Sequence, residues 1–228
     1  MKDDRPLIII TARIGSSRLQ GKVLKPFWKE YSILEFLIRR LQTSPVTSRI
    51  KLAIPDTSEN EPVALIGLKC GVEVLRGPED DVLERMNLCL KGEDTQFVSR
   101  VTADNPLTDT ELFTSQWEEM KMIVADYSYC RDCPKGLAAD IWTLECFKKS
   151  VANASTPYEH EHANAWVWNN LRENRILWYK STGMYKNIDG DFSIDTQADY
   201  ESMKKLVSNC TDPIRSSLRD LVSVNSRL

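Results

Sequence analysis

The chain has 228 residues, 42% of them hydrophobic, enough for a sizeable core without a metal or disulfide to hold it. Its formal net charge is -3, from 30 Lys and Arg against 33 Asp and Glu, so the global field argues against a general polyanion binder, and nucleic acid is not an expected partner. The opening apolar run is too short for a signal-peptide core or a membrane span, so a cytoplasmic protein with no membrane partner is expected.

Residues 7–11 (LIIIT) form a continuous apolar run ending in Thr, the pattern of a strand buried on both faces. A loop over 13–26 follows and carries Arg13, Arg18 and Lys22. Ser32 and Glu35 have capping-box spacing, with Leu34, Leu37, Ile38 and Leu41 at helical spacing behind them. Residues 50–54 (IKLAI) read as a second strand. Ser58 and Glu61 repeat the capping-box pattern and open a helix expected to end near Gly71. A third strand is predicted over 72–75, a helix over 79–90 and a fourth strand over 97–101. This alternation predicts an α/β, Rossmann-like fold with a mainly parallel (mixed) central sheet flanked by helices. Ligands in such sheets bind beyond the carboxyl ends of the strands.

Past residue 109 the predicted order is helix (111–122), strand (126–130), irregular chain (131–140), helices (144–152 and 159–170) and strand (175–179). A polar loop (180–191), a short strand (192–194) and a helix (197–207) follow, then a helically spaced tail over 213–228. No linker interrupts the pattern, so a single domain over 1–228 is expected.

The loop after the first strand combines three cations with the N–H groups of Gly15, Ser16 and Ser17, chemistry that suits a triphosphate. A solvated basic loop would have the same composition. It is not the kinase-type loop G-x-x-x-x-G-K-[ST]: five residues separate Gly15 from Gly21, and Val23 stands where a magnesium-binding hydroxyl is needed. The same spacing rules out G-x-G-x-x-G. Asp104 follows the fourth strand and Asp195 precedes a helix, positions from which carboxylates can reach a central cleft and hold magnesium. Each also reads as something simpler, a turn residue before Asn105 and a helix-cap residue before Thr196. His160 and His162 lie two apart, a poor metal pair on a helix. Cys130 and Cys133 make one CxxC with no second pair, a weak zinc signal. With Cys70, Cys89, Cys146 and Cys210 they are expected to be reduced and mostly buried.

The segment from Ala12 to Leu24 resembles the nucleotide signature of the sugar cytidylyltransferases, ARxGSxRLPGKxL, with Gln20 in place of the usual proline. This group includes the CMP-sialic acid, CMP-pseudaminate and CMP-Kdo synthetases, and the chain is most similar to its spore-coat polysaccharide SpsF-like branch. Further segments in family order are VLRGPEDDVLERM (74–86), RVTADNPLTD (100–109), YEHEHANAW (158–166) and SIDTQADYESM (193–203). The resemblance implies a Mg2+-dependent cytidylyltransferase that joins CTP to an acidic sugar, nonulosonic or octulosonic, and releases pyrophosphate. It implies that Ala12, Arg13, Gly15, Ser16, Arg18, Lys22, Arg76, Asp81, Thr102 and Asp104 bind the nucleotide, with Arg13, Lys22 and Asp104 carrying catalysis. Asp104 and Asp195 are the implied magnesium ligands, and Asp140, Glu161 and His162 the implied sugar-side residues. The family match places Arg100 near the cleft and assigns it no role.

The sugar-side segments depart from the family pattern. Ala138 stands at a usual Asp, Asp140 at a usual Glu and His160 at a usual Arg, while Ala163, Asn164 and Ala165 replace Val-Thr-Pro. They leave the sugar open, and with it two alternatives: a binding module without turnover, or a transferase using another nucleoside triphosphate. No general base is assigned. Related enzymes commonly dimerise, which predicts a homodimer with 130–190 as the sugar-side and dimerisation region. Its aromatics (Trp142, Tyr158, Trp166, Trp168, Trp178 and Tyr179) would serve equally as core.

Overall fold

A computed structural model describes residues 4–181, 185, 188 and 190–225. Strand β1 (Leu7–Thr11) is buried along its whole length. Its side chains alternate between two cores. Ile8 and Ile10 pack on one side with Phe36 and Leu37, and Leu7 and Ile9 on the other with Leu83, Met86, Trp142 and Phe147. This two-sided burial is why the run is apolar without alternation.

The first half continues through a hairpin, β2 (Pro26–Trp28) and β3 (Tyr31–Ser32), then α1 (Ile33–Leu41), β4 (Ile50–Pro55), α2 (Glu61–Lys69), β5 (Glu73–Gly77), α3 (Val82–Leu88) and β6 (Phe97–Thr102). The second half holds α4 (Thr110–Met122), β7 (Tyr127–Cys130), β8 (Asp140–Thr143), α5 (Leu144–Asn153), α6 (Pro157–Glu161), α7 (Ala165–Asn169), β9 (Ile176–Tyr179), α8 (Gln197–Ser208) and α9 (Leu218–Asn225). The main sheet has seven strands in the order β5-β4-β1-β6-β8-β7-β9. Its neighbouring pairs are parallel except where β8 runs antiparallel to β6 and β7. The expected mixed, mainly parallel α/β sheet is therefore present. The strand order reverses at β1, which lies between β4 and β6, and this opens a crevice at Thr11 and Thr102, which are register partners.

Several local expectations change. Ser32 caps α1 by accepting the Glu35 N–H at 3.2 Å, but the Glu35 carboxylate is taken by Arg39 and Lys69, so the reciprocal bond does not form. Ser58 caps nothing: 58–60 is a 3-10 turn, and Asn60 precedes α2 without a side-chain cap bond. The helix expected over 79–90 starts only at Val82, because Asp81 caps it. The helix expected over 159–170 divides into α6 and α7, with Thr156 and Glu159 forming a full capping box at the start. Strand β8 falls between the expected irregular stretch (131–140) and helix (144–152) and was not predicted, since four residues are too few to show alternation. Residues 192–194 form no strand, although Phe192 N–H donates to Lys135 O and Ile194 N–H to Asp104 O, both at 2.8 Å.

Of the aromatics in 130–190, Trp142, Trp166 and Tyr179 are core, whereas Tyr158 is exposed. Half of the polar loop over 180–191 and the end of the tail, 226–228, lie outside the described residues. No helix among the described residues is long and apolar enough to cross a membrane.

Candidate active site

The loop after β1 enters a cleft of about 380 Å³ at the carboxyl ends of β1 and β6. Ala12 N–H donates to Ala53 O and Ala103 N–H to Thr11 O, both at 3.1 Å, carrying strand pairing one residue past the sheet. Gly21 then takes a left-handed conformation, φ 62°, and turns the chain into a 3-10 turn over Lys22–Leu24. This turn carries Lys22 to the centre of the cleft. Its Nζ donates to Asp104 Oδ2 at 2.7 Å, to Ile194 O at 2.8 Å and to Asp195 Oδ1 at 3.1 Å. Only 11% of the Lys22 side chain is exposed.

Asp195 also meets Arg18 at 3.0 Å and Lys135 at 3.3 Å. Burial pushes the Asp195 carboxyl up, but the hydrogen bonds and charges of Lys22 and Lys135 outweigh it and hold the group below the usual carboxylate range. Asp195 is not the cap of α8; Thr196 is, in a capping box with Asp199. That leaves the Asp195 side chain to the cleft. Asp104 sits in the turn after β6, where Asn105 N–H donates to Thr102 O at 3.0 Å, so its turn position and its cleft position are one and the same.

The loop is held from outside by Asn60, whose Oδ1 accepts the Ile14 N–H at 2.9 Å. Gly136 brings the 192–195 segment in close. It has φ 89°, and a Cβ there would lie 2.5 to 2.7 Å from the backbone of Phe192 and Ser193.

Ala12, Arg13, Gly15, Ser16, Arg18, Lys22, Thr102, Asp104, Glu161, His162 and Asp195 all line this cleft. Arg13 faces Glu161 at 3.5 Å across the opening. Three expected residues do not line it. Arg76, on edge strand β5, pairs with Glu61 at 2.6 Å. Asp81 is occupied at both oxygens: Oδ1 accepts the Glu84 N–H that caps α3, and Oδ2 meets His160 Nδ1, each at 2.7 Å. Asp140 borders a separate side pocket. Its oxygens accept from the Tyr127 hydroxyl at 2.5 Å and the Asn164 amide at 3.2 Å, and burial pushes its carboxyl up. His160 thus docks α6 on α3, while His162 lines the cleft beside the Tyr158 ring.

Sequence reasoning passed over Lys135 and Arg85 and left Arg100 without a role. The contact of Lys135 depends on the Gly136 turn, which no local pattern announces. Arg85 is 2% exposed on α3, donates to Pro78 O and Glu79 O, and leaves Nε buried without a partner among the described residues. Burial, then the charges of Arg13 and Arg100, lower its pKa to about 10. Arg85 and Arg100 both lie inside the quoted family segments, and that was the available signal.

Among the described residues no three His, Cys, Asp or Glu side chains gather as a metal site. Cys130 ends β7 with its thiol lowered by a hydrogen bond from Cys133, and all six cysteines are free. Asp104 and Asp195 do fit magnesium. They are hard oxygen donors meeting at one point, and magnesium commonly takes one or two carboxylates and fills its remaining positions with substrate phosphates and water.

Cations on the first βα loop facing carboxylates from two later loops, over the switch point of such a sheet, define a nucleotidyltransferase. Solved structures share the plan. The chain is similar to a cytidylyltransferase from Leptospira borgpetersenii serovar Hardjo-bovis, with TM-score 0.90 and 26% identity, covering 99% of this chain and 95% of that one. It shares the fold of a CMP:2-keto-3-deoxy-manno-octonic acid synthetase complexed with CTP, with TM-score 0.67 and 14% identity over 90% of this chain and 98% of that one. The chain belongs to the cytidylyltransferase family, whose sequence model matches residues 7–223. It is also 26% identical to the spore coat polysaccharide biosynthesis protein SpsF of Bacillus subtilis over 226 residues, 97% of this chain and 94% of that protein. The resemblance carried by the motifs therefore holds along nearly the whole chain.

Proposed function

We propose that the chain is a Mg2+-dependent cytidylyltransferase that couples CTP to an acidic sugar of the nonulosonic or octulosonic type, forming a CMP-sugar for surface polysaccharide or glycan synthesis. The observation that carries this is the meeting of Asp104 and Asp195 on Lys22, at the mouth of the cation loop. The names of the similar proteins support the substrate class, one a spore coat polysaccharide protein and one a CMP-octulosonate synthetase.

Arg13, Arg18 and Lys22, with the N–H groups of Gly15 and Ser16, bind the triphosphate by charge-assisted hydrogen bonds. Asp104 and Asp195 hold magnesium, which when bound supplies charge neutralisation on the phosphate oxygens. The anomeric oxygen of the sugar attacks the α-phosphorus, the bond to the β-phosphate oxygen breaks, and pyrophosphate leaves in line. Holding the two reactants in that geometry is the main contribution of the protein. Glu161 and His162 stand on the acceptor side of the cleft. A homodimer belongs to this reading, with the exposed Tyr158 in the 130–190 region that would form its interface.

The test is pyrophosphate release from CTP and Mg2+ with a panel of nonulosonic and octulosonic acids, using wild type and Asp104→Asn. The variant is expected to lose at least about a hundredfold in kcat, as the metal and its positioning are lost. Undiminished turnover would remove the metal role of Asp104.

A further inference from the structure

Arg100 has a place in the sheet that the nucleotide loop does not explain. It lies on β6, opposite Ile9 of β1 and Asp140 of β8, on a face otherwise packed with Leu7, Ile9 and Val98. A guanidinium is costly to hold in such surroundings unless acceptors or an anion meet it. Among the described residues its one side-chain hydrogen bond is from Nε to Thr11 Oγ1, at 3.3 Å, and it forms no ion pair. Asp140 is its neighbour in register, yet both oxygens of Asp140 are taken up by Tyr127 and Asn164. Arg13 and Arg85 add their own positive charge to the same end of the cleft.

Arg100 borders two spaces at once. One is the main cleft; the other is a side pocket of about 90 Å³, whose further walls include Thr102, Asn105, Tyr129, Ala138 and Asp140. At ~30 Å³ per water, that pocket suits a substituent of a few atoms rather than a sugar ring or a base. The pocket opens over β6 and β8, while the cation loop rises from β1 on the far side of β6. An in-line displacement needs its acceptor on the side opposite the leaving pyrophosphate. Ala138 keeps the pocket open, since its side chain is a single methyl.

We propose that Arg100 anchors the acceptor: its guanidinium fork takes the carboxylate of the sugar acid, and the side pocket takes the neighbouring substituent. A planar fork matches a carboxylate with two parallel N–H···O bonds. This rests on the acidic-sugar reading above.

The test uses the full chain with CTP and Mg2+, the same acid panel, and the methyl ester of each acid that reacts. Wild type is expected to prefer acid over ester by about tenfold or more, the worth of charge-assisted hydrogen bonds. Arg100→Gln should raise the KM for the acid by about tenfold to a hundredfold and abolish the preference, with the KM for CTP within about twofold. Arg100→Lys should recover part of it. Ala138→Leu, on a different segment, should fill the side pocket and raise the KM for the acid with the KM for CTP within about twofold. If Arg100→Gln does not fold, as judged by melting, the other two variants decide.

An Arg100→Gln enzyme that still prefers the acid overturns the anchor and leaves the cytidylyltransferase reading intact. A rise in the KM for CTP as large as that for the acid also overturns it and assigns Arg100 to the nucleotide. A wild type that uses no acid in the panel overturns both.

Discussion

Replacing Lys22 with Met removes a cation that both cleft carboxylates share. The ammonium makes three hydrogen bonds, at 2.7, 2.8 and 3.1 Å, and two of them go to carboxylates only 27% and 20% exposed. Breaking a buried ion pair from one side costs about 3–5 kcal/mol, because the partner charge is left uncompensated. Partial exposure of both aspartates and the remaining contacts of Asp195 with Arg18 and Lys135 put this case at the low end, about 3 kcal/mol. For a chain of this size that is a fall in Tm of about 6–12 °C. Calorimetry at neutral pH measures it. A second arm adds Mg2+. Two carboxylates without their lysine attract a divalent ion more strongly, so Mg2+ should raise the Tm of Lys22→Met more than that of wild type. An unchanged Tm, with equal Mg2+ shifts in both proteins, would refute the view that Lys22 joins the two carboxylates.

Two further outcomes follow from the same geometry. Asn60→Ala takes the acceptor from the Ile14 N–H at a residue only 2% exposed, so about 1–3 kcal/mol of stability should go, and steady-state kinetics should show the KM for CTP rising over wild type by more than the KM for the acceptor. Glu159 is held at about 2, against 4.5 when free, by the Ser155 N–H first, then the Asn169 amide and the Thr156 N–H. The unfolded chain therefore binds the extra proton between those values, so this contribution is complete above about 4.5 and lost as pH falls toward 2. Glu159→Gln should flatten that acid limb in a plot of Tm against pH.

Much of the architecture was legible because it is written in short-range patterns. Strand β1 announces itself as an apolar run, since it is covered on both faces and a polar side chain there would be desolvated. The loop chemistry was legible too: the glycine spacing and Val23 excluded the kinase-type loop, and three cations remained to be explained. Strand β8 was not legible. Four residues carry no periodicity, and its antiparallel place between β6 and β7 depends on pairing with strands from two other segments. Ser58 misled because Ser-x-x-Glu is satisfied by more than one local geometry, and here the polar side chain in use is Asn60, turned toward Ile14.

The amino-acid order thus specified the sheet-forming runs, the cation loop and the place of Asp104 just past β6. Which of the charged residues meet could come only from the folded chain. Lys22 finds Asp104 across 82 residues and Asp195 across 173. Asp81, which looked like a nucleotide residue, is used up by the α3 cap and by His160, 79 residues away. Arg76 turns to Glu61 at the sheet edge. Such pairings depend on strand order and on where backbone turns such as Gly136 place a side chain. No spacing along a single segment encodes a contact between two segments.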